Sequence, residues 1–503
     1  MTAQSIGRRQ FVQSIGAAAV TLPIGERLRL FQQDDLAGLT LAEAAARIRA
    51  RRVTPVALVE ACLERIREWQ PHINAFIMVT SELALEQART AQAEIARGSY
   101  RGPLHGIPIA LKDNIDTAGL RTTAGSAVFA ERVPTEDAEV VRKLTEAGAI
   151  LLGKLNMDEF ANGGHSVESF WGPVRNPWNL DHEAGGSSGG PAAAVAARLC
   201  FGAVGTDTGG SIRSPAGHCG VVGLKPTYGR VSNRGVIPLV WSLDHTGPLA
   251  RTAEDAALLL QTIAGYDPHD PGSVDAQVPS YAAAVRQPIR QLRVGIPRNA
   301  LYDVLEPEVS AAVERAIEVI RPLVKDVADV ALPPALSARR LGGAEFYAYH
   351  KELLEQARPL YQPSTRRDLE GAAKMPAYQY VLLQRQAQEA RRQIARVFEK
   401  VDVLLAPTVK YAAKTIQYWQ ERLQSDRPSG PIIWNTGLFN VFGVPAMSVP
   451  CGFTAAGLPI GLMIAGPALE DARVLAVGHA YQQATDWHRR SPRLPESARG
   501  GGR

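Results

Sequence analysis

Seven short apolar runs, each four or five residues long, limit what this chain can fold into: Ile107–Leu111, Ala149–Gly153, Phe201–Gly205, Leu292–Ile296, Val401–Leu405, Ala446–Val449 and Ile460–Ile464. Runs of this length are short for buried helices, and without polar alternation they suit strands covered on both faces. Helical periodicity fills the spaces between them, at 136–147, 253–263, 307–323 and 384–399. Three capped helices precede the first run. Thr40 and Glu43 make a capping box for a helix reaching Arg51, Thr54-Pro55 opens a second to Glu68, and Ser81 caps a third that stops at Gly98. There is no repeat and no low-complexity linker. The economical expectation is one α/β domain over 31–495, its sheet covered by helices on both faces, with a flexible tail at 496–503.

Hydrophobic residues make up 46% of the 503 and charged ones 21%, enough for a sizeable core. The formal net charge is +5, but Arg8, Arg9, Arg27 and Arg29 against Glu26 account for +3 of it. The remaining +2 is too small, and too evenly spread, to indicate a nucleic-acid partner. The four cysteines (Cys62, Cys200, Cys219 and Cys451) are scattered among apolar or small residues. No C-x-x-C or H-E-x-x-H occurs, so buried free thiols are expected, with neither a disulfide framework nor a metal. At the start of the chain, Arg8-Arg9-Gln10-Phe11 followed by an apolar run from Ile15 to Ile24 resembles a twin-arginine export signal over residues 1–30. That run is too short to span a bilayer as a helix, so no stable membrane insertion is expected.

The chemistry-bearing residues concentrate between 106 and 213. Gly185-Gly186-Ser187-Ser188-Gly189-Gly190 and Gly205-Thr206-Asp207-Thr208-Gly209-Gly210-Ser211 place two serines 24 residues apart, each beside glycines. A serine in a glycine turn can present its hydroxyl, and the amides beside it can face a developing oxyanion. A small-residue helix, Pro191–Leu199, separates the two clusters. Neither cluster contains a histidine to serve as base, but Lys112 directly follows an apolar strand candidate. Burial lowers a lysine pKa, which suits Lys112 to accept a proton. Ser211 is the candidate nucleophile, Ser187 the relay, and the amides of Thr208, Gly209, Gly210 and Ser211 the candidate oxyanion hole. Taken singly, a Gly-Gly pair is ordinary turn punctuation and a lone lysine is ordinarily solvated; the combination carries the reading.

The segments Gly106–Ile115, Asn156–Phe160, Gly172–Asn179, Gly185–Arg230 and, within the last, Cys219–Thr227 resemble the amidase signature family of serine amidohydrolases, in family order. The resemblance extends from about Leu39 to Trp487 and is loose between Asp267 and Pro431. It implies an amidase signature fold, one large twisted mixed sheet between helical layers. It also implies a Ser211–Ser187–Lys112 relay with a cis peptide before Ser187, supporting roles for Ser188, Asp207 and Arg213, and no cofactor. By the same alignment a substrate pocket would include Gly163, Gly164, Ile433, Trp434 and Phe439. Glutamine amidotransferase subunits of the family carry an acidic residue where Ile433 stands, so an apolar or aryl amide is expected here. Carbamates or esters, glutamine in an amidotransferase, and an inactive binding protein are the alternatives. The partner is a small-molecule amide, and the assembly a monomer or homodimer. Gly185–Gly189 also matches the G-x-S-x-G nucleophile elbow, but that turn needs a preceding strand and Asn179–Glu183 reads as polar. None of the ten lysines follows a serine by three, which removes an S-x-x-K site.

Overall fold

The structure, a computed structural model, describes residues 36–334, 337–425 and 435–494. The expected export signal at 1–30 and the tail at 496–503 lie outside the described residues. Thirteen strands are described: β1 (Phe76–Val79), β2 (Pro108–Lys112), β3 (Ile150–Leu155), β4 (Arg175–Asn176), β5 (Asn179–Glu183), β6 (Gly202–Asp207), β7 (Val222–Lys225), β8 (His245–Ala250), β9 (Arg293–Ile296), β10 (Asp326–Asp329), β11 (Val403–Pro407), β12 (Ala446–Phe453) and β13 (Pro459–Ala465). Eleven of them form one mixed sheet in the order β1-β3-β2-β6-β8-β7-β12-β13-β11-β9-β10, and β4 and β5 form a separate hairpin. The sheet and its helical cover are the α/β architecture expected from the apolar runs.

Strands β2, β3, β6, β7, β8, β11 and β13 are buried at every residue, which is why they lack polar alternation. The largest core packs on them through helices such as Pro55–Ile73, Ala253–Ile263 and Pro307–Ile320. A second core lies among Ala338–Ala357, Ala377–Phe398 and Gly437–Phe442, and contains Leu341, Leu383, Phe398 and Phe439. Among the described residues no helix is long and apolar enough to cross a membrane. All four cysteines are free and buried.

Several boundaries differ from the sequence expectation. The Pro55 helix continues past Glu68 to Ile73 and stops at Asn74, which takes a left-handed conformation. Ser81 is the first residue of its helix rather than the cap, which is Thr80, and no side chain caps that end. The helix expected to begin at Gln384 begins at Ala377, because its first turns, including Tyr378, Val381 and Leu382, are exposed and carry no apolar stripe. Asn179–Glu183, read as polar and strandless, is β5; it pairs with β4 outside the large sheet and so needs no buried face. Strands β1, β7, β8 and β10 were not expected. β8 carries a glycine and a proline, and β10 is a polar edge strand, so pairing with neighbours rather than local pattern defines them.

The topology positions the chemistry. β2 lies between β3 and β6 and is parallel to both, so the three strands end on the same edge of the sheet. The segments following them, which begin at Asp113, Asn156 and Thr208, therefore meet there, as loops do at the carboxyl ends of parallel strands.

Candidate active site

Lys112 is the last residue of β2 and has no exposed surface. Its Nζ lies 2.8 Å from Ser187 Oγ and 2.8 Å from Thr206 Oγ1. The Asn114 side chain donates to the same threonine at 3.2 Å. Burial pushes the lysine pKa down to about 7, against the opposing pull of the Asp158, Asp207 and Asp244 carboxylates. A substantial fraction of this side chain is therefore neutral at neutral pH and able to accept a proton from Ser187.

Ser187 sits in the bend between β5 and the all-small helix Gly189–Ala196, and its peptide bond with Gly186 is cis. Ser188 holds this bend against the second cluster: its amide donates to the Ser211 carbonyl at 3.1 Å and its hydroxyl to the Thr206 carbonyl at 3.1 Å. Ser211 follows β6 and precedes helix Arg213–Cys219. The structure thus brings Lys112, Ser187, Ser188 and Ser211 together from one strand end and two turns.

The Asp207–Arg213 segment is held by charge. Arg213 Nε and Nη2 donate to the two Asp207 carboxylate oxygens at 3.0 and 2.9 Å, with both side chains fully buried. Burial alone would raise the Asp207 carboxyl, but the Arg213 guanidinium overrides it and holds the group well below the usual carboxylate range. Gly210 N–H donates to Asp207 Oδ1 at 2.8 Å. It is therefore already committed, which corrects the expectation of four free amides. Among the described residues the amides of Thr208, Gly209 and Ser211 have no acceptor, leaving three for an oxyanion. Gly210 has φ +134, and a Cβ there would collide with the Thr436 side chain; at Gly209 a Cβ would meet open space.

Residues from elsewhere in the sequence complete this framework. Asn440 donates to the Asp207 carbonyl at 3.0 Å and its carboxylate at 2.8 Å, and accepts from Arg213 at 2.7 Å. Thr436 donates to the Gly209 carbonyl at 2.7 Å. Thr208 donates to Asp244 at 2.6 Å, and burial raises that carboxyl to about 7. One signal for Asn440 was present: it is a lone polar residue in the apolar run Leu438–Phe442. Thr436 and Asp244 carry no comparable local mark.

Of the expected pocket residues, Gly163, Gly164 and Phe439 are described. Gly163 is exposed and borders the Asp158 side chain, while Gly164 beside it is buried. Phe439 is fully buried in the second core, 6.2 Å from the Phe442 ring. It is a core aromatic rather than a pocket wall, because its short helix turns Asn440 toward Asp207 and leaves Phe439 on the packed side. Ile433 and Trp434 lie outside the described residues.

The sequence profile described as Amidase matches residues 57–475. The A-subunit of a glutamyl-tRNA(Gln) amidotransferase from Methylococcus capsulatus is 43% identical over 484 residues, spanning 90% of this chain and 98% of that protein. The structure of native peptide amidase from Stenotrophomonas maltophilia is similar with a TM-score of 0.79 and 33% identity, over 90% of this chain and 98% of that one. A bacterial aryl acylamidase of the amidase signature enzymes gives a TM-score of 0.80 at 27% identity, over 90% and 97% of the two chains. With the profile covering most of its length and a shared fold, the chain belongs to the amidase signature family.

Proposed function

We propose that this protein cleaves a carboxamide C–N bond by acyl transfer. Neutral Lys112 takes a proton from Ser187, Ser187 takes one from Ser211, and the Ser211 oxygen bonds to the amide carbon. The oxyanion faces the free amides at 208, 209 and 211. The relay returns a proton to the departing amine as the C–N bond breaks, and water then releases the acyl group by the reverse route. The observation that carries this reading is the 2.8 Å contact between the buried Lys112 amine and Ser187 Oγ, with the lysine pKa pushed down to about 7.

Two readings of the acyl group compete, and each has support of its own. Identity of 43% along almost the whole of an amidotransferase A-subunit favours glutamine as amide donor, together with a protein partner. Ile433, read from the sequence as standing where amidotransferase subunits of the family carry an acid, favours an apolar or aryl amide, with carbamates and esters as relatives of the same attack. The relatives' support is broader, while that of Ile433 rests on one position. The deciding experiment compares hydrolysis of an apolar anilide with ammonia release from glutamine, using wild type and Ser211→Ala. The variant should lose turnover of either substrate by roughly 10⁴-fold or more while remaining folded. Anilide turnover alone supports the aryl reading, and glutamine turnover alone supports the amidotransferase reading. Activity surviving in Ser211→Ala would remove the mechanism itself. We also propose export by the Arg8-Arg9 leader; an uncleaved, wholly cytoplasmic product on fractionation would overturn it.

A further inference from the structure

Two chain segments frame the site: the arm that enters Ser187 through β5 and the arm that leaves Ser211 through helix Arg213–Cys219. They are clasped to each other beyond the two serines. Asn176 Nδ2 donates to the Glu183 carbonyl at 3.0 Å and to the His218 carbonyl at 2.9 Å. Cys219 Sγ stands 3.3 Å from the Ala184 carbonyl. Gly185 is packed on Pro215 and His218, so close that a Cβ there would lie 3.1 Å from His218 Nδ1. At the centre of the clasp the Glu183 carboxyl and His218 Nδ1 face each other at 3.7 Å, both without exposed surface. Among the described residues, Glu183 Oε2 and both His218 ring nitrogens have no well-aligned hydrogen-bond partner, while Glu183 Oε1 accepts from the Lys414 amide at 3.3 Å.

We propose that Glu183 and His218 form an uncharged acid–imidazole pair, with the Glu183 O–H directed at His218 Nδ1, that positions the Ser187 bend against the Ser211 arm. Both are positioning residues, acting through Gly185 and helix Arg213–Cys219. An ionised carboxylate here would face no cation inside the clasp. The groups around it are the Trp419 indole, the Asp158 carboxylate, the Tyr411 phenol and backbone, the Cys219 thiol, and a Lys414 ammonium already paired with Glu306. Burial agrees with this state, pushing Glu183 up to about 8 and His218 down to about 4. The pair is thus neutral at pH 7, and it is lost when Glu183 ionises at alkaline pH.

The proposal rests on the amide-cleavage reading only in taking Ser211 as nucleophile. Its test is the rate at which a fluorophosphonate labels Ser211 between pH 6 and 10, which needs no knowledge of the acyl substrate. Wild-type labelling should rise as Lys112 deprotonates and fall again near pH 8 as Glu183 ionises. Glu183→Gln cannot ionise, and because Oε1 faces both His218 Nδ1 and the Lys414 amide, its side chain keeps one of those two contacts; it should label at neutral pH within about threefold of wild type and lose the alkaline fall. Glu183→Ala should label about tenfold more slowly at neutral pH. An alkaline fall that persists in Glu183→Gln, or equal rates for Ala and Gln, would overturn the proposal. If Glu183→Gln does not fold, His218→Phe removes the acceptor and should move the fall to lower pH; an unmoved fall is then the negative result. Wild-type protein that is not labelled at Ser211 at any pH would instead mark failure of the nucleophile assignment.

Discussion

Lys112 shows how burial sets the chemistry of one side chain. In the unfolded chain its amine stays protonated to about pH 10, whereas in the fold it loses its proton near 7. The unfolded state therefore binds more protons between those values, and folding stability rises with pH across the window. Turnover should rise through about pH 7 in the same direction, because the neutral amine is the base. Lys112→Met separates the two effects. It should abolish turnover, yet stabilise the protein at pH 6 by about 1–4 kcal/mol, as apolar replacement of a buried charge can do. That advantage should shrink by pH 9 in denaturant unfolding curves. A variant less stable than wild type at both pH values would mean that the contacts with Ser187 and Thr206 outweigh the burial penalty. The candidacy of Lys112 was legible in the sequence from its place after an apolar run. Its partner Thr206 was not assigned, because a threonine at a strand end is common and only the β2–β6 pairing brings the two together.

The turn from Asp207 to Arg213 works as a unit that helix Gly437–Phe442 and the residue before it brace from behind. Its two glycines should respond differently to the same substitution. Gly209→Ala adds a methyl group to open space and should change stability by less than about 0.5 kcal/mol, while slowing turnover if its amide faces the oxyanion. Gly210→Ala forces a Cβ into Thr436 from a left-handed backbone, and should cost about 1–3 kcal/mol as well as activity. Thermal unfolding together with initial rates on both variants checks the contrast. Equal stability of the two would show that Thr436 gives way. The glycine-serine turn was legible because glycine marks unusual backbone wherever it clusters. Its bracing was not, since Thr436 and Asn440 lie more than 220 residues further along the chain.

Over the full sheet, stability and chemistry are separable. Leu260, fully buried in helix Ala253–Ile263, belongs to the largest core. Leu260→Ala should cost about 2–5 kcal/mol of folding stability by opening a cavity, and leave the pH dependence of turnover unchanged below the unfolding temperature. A displaced pH profile would show that core packing on this face tunes the Lys112 environment. The sequence alone determined the elements whose signal is local. These are the seven apolar strands, the helices before them, the glycine bends around Ser187 and Ser211, and the lysine at the end of β2. Each rests on interactions a few residues apart, so each leaves a pattern in the order of residues. Only the tertiary structure decided which strand lies beside which, that Gly210 gives its amide to Asp207, that Phe439 belongs to the core, and that Glu183 meets His218. Those outcomes depend on sheet order and on burial shared between distant segments, and burial by a distant segment leaves no periodicity in the residues it covers.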